Sequence, residues 1–290
     1  MRKKNRIGYS VVIGTALGLT FGVGIFYSHT TLAPDIKKTT PLSAIHTYHD
    51  ASRSLGAIRI KMFYAVPKNK TAFIARDWNR LVSRALEEVK RFHSLQFANT
   101  SLLHVSIFPK PVILENDAIF YNTERTDFGN PAALVSVSEE IERRIFRKDG
   151  DLYDAAFAEN NPAEYTILGI MYEDVGQSGG IIHETSAETR KEIAEIYGLS
   201  AAYVHIVNIS RADGFFLLSR LCLSGSGCIG PGPSLIYHEL AHTFGVPDQY
   251  VNVGGADTPL SEDIMGEGRK GPLERTHIDW ITTRKMGLVE

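Results

Sequence analysis

Apolar positions along this chain change period several times, and each change marks a predicted element. Residues 57–66 (AIRIKMFYAV) are rich in branched and aromatic side chains and partly alternate, which predicts a first strand. Over residues 73–97, Ile74, Trp78, Leu81, Val82, Ala85, Leu86, Val89 and Phe92 recur at helical spacing. That predicts a long amphipathic helix with a charged outer face, on which His93 is a surface or capping residue. A second strand is predicted over 102–114, confined at its end to an edge or bulge by Pro109 and Pro111. Residues 131–146 read as a helix whose Glu139, Glu140, Glu142, Arg143 and Arg144 form a solvated face with i,i+4 pairs. Residues 165–172 (YTILGIMY) read as a buried strand, closed by the turn-prone GQSGG at 176–180. A short helix over 188–197, a strand over 202–209 and a closing helix over 274–286, with Trp280 in a small lower core, complete the pattern. Strand, long helix and further strands in this order fit an α+β fold with a twisted, mostly parallel sheet.

One stretch does not fit a globular core. Residues 7–27 carry no charge across 21 positions and follow the basic cluster Arg2, Lys3, Lys4 and Arg6. A helix of that length crosses a bilayer core of about 30 Å. The expectation is an N-terminal transmembrane signal anchor with the basic tail in the cytoplasm and the body outside. A cleaved signal and secretion is the alternative; the apolar run is longer than an ordinary signal region. Gly14, Gly18 and Gly22 repeat at the small-residue spacing of packed membrane helices, which allows a homodimer. Residues 30–54, polar with Pro34 and Pro41, read as a linker or stalk, or else a pro-segment. The expected organisation is tail and anchor over 1–29, linker over 30–54 and one domain over 55–290.

Composition narrows the classes of partner. The chain has 290 residues, is 43% hydrophobic and carries a formal charge of −2, with four of its 31 basic residues in the N-terminal cluster. The remainder is mildly acidic, which gives no support to nucleic-acid binding. Cys222 and Cys228 bracket Leu-Ser-Gly-Ser-Gly, the wrong spacing for a redox Cys-x-x-Cys pair. Outside the cytoplasm a disulfide is their expected state.

The chemistry concentrates in residues 234–250, SLIYHELAHTFGVPDQY. His238 and His242 stand at i and i+4, so on a helix both imidazoles leave one face a turn apart and make a pair of zinc ligands. Glu239 stands beside them, where a carboxylate can take a proton from a water at the metal. Gly245 lets the chain leave the helix in a left-handed conformation, and Asp248 can return to the metal as third ligand. Ser234 is the candidate N-cap of this helix. Downstream, SEDIMG at 261–266 places Met265 in a tight loop. Glu262, Asp263 and Glu267 are alternative carboxylate ligands should Asp248 not reach. A second His-Glu pair, His183-Glu184, lacks the partner His, since Ala187 stands in its place.

Helix, glycine turn, third ligand and downstream Met-turn resemble the metzincin pattern of zinc endopeptidases, except that Asp248 replaces the usual third His. Gly-Val-Pro-Asp-Gln-Tyr followed by Ser-Glu-Asp-Ile-Met-Gly is most similar to the snapalysin-like group of small secreted bacterial metzincins. The close resemblance covers residues 234–266. It implies a metzincin-like fold with a small lower domain, Zn2+ as cofactor and a peptide or protein substrate. It implies an antiparallel edge strand that pairs with the substrate, for which 202–209 is the candidate. It also implies Met265 as a hydrophobic floor under the metal and Tyr250 as a hydrogen-bond donor to the tetrahedral intermediate. The alternatives are a zinc-binding pseudoenzyme whose ectodomain binds a partner, or a narrow-specificity zinc hydrolase of cell-wall peptides.

Overall fold

The computed structural model describes residues 54–122, 131–145, 164–174, 178–182, 212–225, 228–253 and 256–288. The chain divides after Thr39, and every described residue lies in the second of the two units. Strand β1 (Ser54–Val66) is the centre of the sheet, and its alternate side chains serve two cores. Ile58, Ile60, Met62, Tyr64 and Val66 belong to one apolar cluster, Phe63 and Ala65 to another. Burial on both faces explains why its pattern is a near-continuous apolar run rather than a clean alternation.

Four strands run parallel to one another around β1. It pairs with β2 (Leu102–Ile107) on one side, β4 (Glu164–Tyr172) on the other, and at its far end with the two-residue β3 (Val112–Ile113). The break between β2 and β3 falls at Pro109-Lys110-Pro111, as a missing ladder donor requires. On the far side of β4 lies β6 (Gly214–Ser219), parallel, and β5 (Gly179–Ile182) runs antiparallel to β6. The order is β2–β1–β4–β6–β5, so β5 is the last strand on that side among the described residues.

Parallel neighbours need crossovers, and those put helices on both faces. On one face lies α1 (Trp78–Gln96), whose Trp78, Val82, Ala85, Leu86, Val89 and Phe92 are buried together with residues of α5 (Gly232–His242). The other face is covered by α3 (Pro131–Ile145) through Ala133, Leu134, Val137 and Ile141, next to the short α2 (Ala118–Tyr121). The architecture is therefore mixed α/β with a mixed sheet, which corrects the α+β expectation. Helices α1 and α3 pack in the two different apolar clusters that flank β1.

A second correction concerns the membrane. No helix among the described residues is long and apolar enough to cross a bilayer. Residues 7–27, with Gly14, Gly18 and Gly22, lie outside the described residues, so the expected transmembrane helix is not among the elements described. Residues 30–53, the predicted helix at 188–197 and the candidate edge strand at 202–209 also lie outside them.

Smaller differences have local causes. The first helix starts at Trp78 because Lys68–Phe73 forms a 3-10 turn, which leaves Phe73 64% exposed. His93 is fully buried, not on the surface: Nε2 lies 2.8 Å from Ser101 Oγ, and Nδ1 2.7 Å from Tyr237 Oη. Burial pushes its pKa down to about 3, so it stays a neutral linker between α1 and α5. Glu140 keeps its i,i+4 pair with Arg144 at 2.7 Å but is buried, accepting from the Glu115 amide and the Tyr121 hydroxyl. The closing helix shrinks to α6 (Trp280–Lys285), capped by Asp279, which accepts from the Thr282 amide at 2.7 Å. Trp280, its first residue, is 69% exposed; Leu273 and Met286 fill the core in its place.

Strand β5 rests directly on α5. A Cβ added at Gly180 would stand 2.2 Å from the Glu239 carbonyl oxygen and 3.1 Å from His242 Cβ. At Gly179 the nearest atom would be Leu134 Cδ2, at 3.9 Å. Gly180→Ala is therefore expected to cost about 1–3 kcal/mol, as overpacking against backbone does, while Gly179→Ala costs far less. Thermal denaturation of the two variants checks this; equal melting temperatures would contradict the close approach.

Candidate metal centre

Helix α5 is buried along nearly its whole length, from Gly232 and Ser234 to His242. It begins after Pro231, with Pro233 in its first turn, where a missing amide hydrogen costs nothing. Ser234 is thus inside the helix rather than its cap, and its hydroxyl donates to the Gly271 carbonyl at 2.6 Å. The Tyr165 hydroxyl donates to the Thr243 carbonyl at the other end, with the Tyr165 and Phe244 rings stacked at 4.9 Å. Gly245 then takes φ +79°, the left-handed conformation that releases the chain towards Asp248.

Three ligand-type atoms converge beyond that turn. His238 Nε2 and His242 Nε2 stand 3.3 Å apart. Asp248 Oδ1 lies 3.1 Å from the first and 3.2 Å from the second. A tetrahedral ion with bonds of about 2.0–2.1 Å separates its donors by about 3.3 Å, so the triangle has the size such an ion requires. The opposite ring nitrogens settle the tautomers. His238 Nδ1 lies 3.0 Å from the Ile264 carbonyl and His242 Nδ1 2.6 Å from the Val246 carbonyl. A carbonyl only accepts, so both Nδ1 atoms carry hydrogen and both Nε2 atoms face the triangle, where each can ligate once it carries no proton. Asp248 Oδ1 is buried and accepts no hydrogen bond of proper geometry. Three ligand-type atoms turned on one another leave a place for a cation, a proton or a metal ion.

His238, Glu239 and His242 form a cluster able to hold a metal ion, with ligand-type atoms within 4.8 Å of one another. Two carboxylates therefore stand at the histidines. Asp248 Oδ1 occupies the third corner of the triangle, which leaves Glu239, also buried, beside it. The alternative carboxylates are otherwise placed. Glu262 and Glu267 are exposed, the latter paired with Lys270 at 2.8 Å. Asp263 accepts from Ser261 Oγ at 2.7 Å, the Met265 amide at 2.9 Å and Thr282 Oγ1 at 2.6 Å, and so braces the loop around Met265. Met265 is fully buried, and its carbonyl accepts from the Gln249 amide at 2.8 Å, which ties the loop to the residue next to Asp248. Gln249 Nε2 also donates to Thr282 Oγ1 at 2.8 Å. Cys222, in the short α4 (Arg220–Leu223), is joined to Cys228 in a disulfide just ahead of α5. His183 and Glu184 lie outside the described residues.

The electrostatics agree with a cation site. Burial alone would lower the His242 pKa, but the Asp248 charge, followed by that of Glu239, outweighs it and pushes the value up to about 9. Burial would raise Asp248; the facing imidazoles hold it well below the usual carboxylate range instead. At pH 7 the metal-free site therefore holds a proton on His242, which a divalent ion must displace. Metal affinity is expected to rise about tenfold per pH unit from 7 towards 9 and then level off. Chelator-competition titrations at several pH values check this, and a flat profile would contradict the shared proton.

Tyr250 opens β7 (Tyr250–Val253), which pairs antiparallel with β8 (Ala256–Pro259). Its ring centroid is 6.1 Å from that of His238. Burial first, then the Asp248 charge, raises its pKa far above the usual phenol value, so the hydroxyl keeps its hydrogen. On its ring lies a residue that periodicity and motif spacing do not single out: Arg269, whose guanidinium carbon is 3.4 Å from the centroid. No protein-family model matches the chain, and no curated protein matches it.

Proposed function

We propose that this chain is a zinc-dependent endopeptidase of the metzincin type, closest in pattern to the snapalysin-like group. The observation that carries this reading is the triangle of His238, His242 and Asp248, with an orphaned carboxylate oxygen at one corner and a second buried carboxylate beside it. Two imidazoles and a carboxylate oxygen are a donor set suited to zinc in a site that keeps one position for substrate.

Zinc, when bound, supplies a Lewis acid that polarises the scissile carbonyl and makes water a nucleophile near neutral pH. The remaining steps fall to side chains. The Ile264 and Val246 carbonyls hold the two imidazoles in the ligating tautomer. Glu239 accepts the proton of the attacking water and passes it to the leaving amine, which completes the hydrolysis. Tyr250 keeps its hydroxyl hydrogen and donates it to the oxygen on which charge develops. Strand β5 favours a peptide substrate. Among the described residues it is the last strand of the sheet, its Gly180 lies against the Glu239 backbone, and an extended chain can add to a sheet edge of this kind beside the metal. This assigns to β5 the recognition role expected for 202–209.

The test is metal removal and return. The full chain, treated with a strong chelator and dialysed, should lose all cleavage of a complex peptide mixture and regain it with one equivalent of zinc. One zinc bound without any cleavage would favour a binding role.

A further inference from the structure

We propose that Arg269 is a positioning residue that holds Tyr250 at the metal; this rests on the peptidase reading given above. Arg269 is 3% exposed, and burying a guanidinium is costly unless the surroundings use its charge. The guanidinium lies flat enough on Tyr250 to bring its central carbon within 3.4 Å of the ring centroid, far inside the usual reach of a cation over a ring. From there Nη1 donates to the Gly266 carbonyl, immediately after Met265.

The backbone around Arg269 is held by hydrogen bonds and close packing. Asp263 braces the loop, its carbonyl accepting from the Gly266 amide at 3.0 Å and the Gly268 amide at 2.9 Å. At Gly230, between the disulfide and α5, an added Cβ would meet the Arg269 carbonyl oxygen at 2.1 Å. Arg269 thus joins the loop under the metal, the approach to α5 and the strand that carries Tyr250. A ring fixed on one face by a buried guanidinium has one orientation available, and its hydroxyl is aimed before substrate arrives. Lysine would keep the charge and lose the planar face.

The test uses the full chain with zinc, in wild type, Arg269→Met, Arg269→Lys, Tyr250→Phe and the double variant Arg269→Met/Tyr250→Phe. Hydroxyl-radical footprinting read by mass spectrometry reports side-chain exposure without requiring activity, and the fully buried Tyr165 and Tyr237 are internal controls. Arg269→Met should raise oxidation of Tyr250 severalfold and leave both controls protected. On a cleaved peptide, kcat should fall on the order of tenfold with KM kept, as misplacing a catalytic group does. In the Tyr250→Phe background the same substitution should cost little further, because it acts through the missing hydroxyl. Unchanged protection of Tyr250, or full additivity of the two substitutions, would overturn the proposal. Should Arg269→Met expose the controls as well, Arg269→Lys decides: release of Tyr250 alone supports the stack, and wild-type protection refutes it. Absence of cleavage in every form would count against the peptidase reading, while the footprint would still decide whether Arg269 holds the ring.

Discussion

Replacing Asp248 with alanine is expected to weaken zinc binding by at least about 100-fold, since outer-shell partners of ligands already contribute 10- to 100-fold. Asp248 supplies the only anionic corner of the triangle, at 3.1 and 3.2 Å from the two histidine nitrogens. Without it two neutral imidazoles remain, and no described carboxylate of the Met265 loop takes its place. Asp263 is engaged with Ser261, Met265 and Thr282, and Glu262 and Glu267 face solvent. The variant should also lose the rise in melting temperature that zinc gives the wild type, because a ligand stabilises only in proportion to its binding to the folded state. Competition with a chromophoric chelator measures the first effect and thermal denaturation with and without zinc the second. Wild-type affinity in Asp248→Ala would remove Asp248 from the site and leave Glu239 as the ligating carboxylate.

The other large effect belongs to Glu239. Glutamine keeps the size of this buried side chain and cannot take a proton. Loss of a general base removes about 10²- to 10⁴-fold in rate. Glu239→Gln should therefore lower kcat/KM by about three orders of magnitude, roughly 4 kcal/mol of transition-state stabilisation, with zinc affinity near that of the wild type. The two substitutions thus separate: Asp248→Ala loses the metal and the activity together, Glu239→Gln the activity alone. A Glu239→Gln variant that also loses zinc would make Glu239 a ligand.

Parts of this arrangement were legible in the sequence for a geometric reason. His238 and His242 at i and i+4 meet on any helix, and Gly245 and Asp248 follow at offsets a short turn can close, so the spacing alone brings three donors together. Strand β1 and helix α1 were legible because their own periodicities carry them. What escaped depends on contacts between distant segments. Strand β5 reads as a turn, since Gly179-Gly180 signals flexibility; only the proximity of the Glu239 backbone shows why a side chain is excluded. Strand β6 (GFFLLS) is a short apolar run that cannot be told from buried helix by periodicity. Arg269 looks like a surface cation in a charged stretch, and its burial follows from the position of Tyr250, nineteen residues earlier in the chain. His93 sits on the apolar stripe of α1 and could have been suspected from it, but its partners, Ser101 and Tyr237, lie in other elements. Trp280 misled in the opposite direction: a large aromatic suggests a core, yet as the first residue of a capped helix it points to water. The mixed α/β class was missed because no local pattern states which face of a sheet a helix covers.

The most direct measurement places wild type and Glu239→Gln, each loaded with one zinc per chain, on the same complex peptide mixture and maps every cut by mass spectrometry. The expected result is a set of cuts made by the wild type, abolished by chelation and absent from the variant at equal zinc content. Identical cut maps from the two proteins, or none from either, would contradict the account of Glu239 as the base of a zinc peptidase.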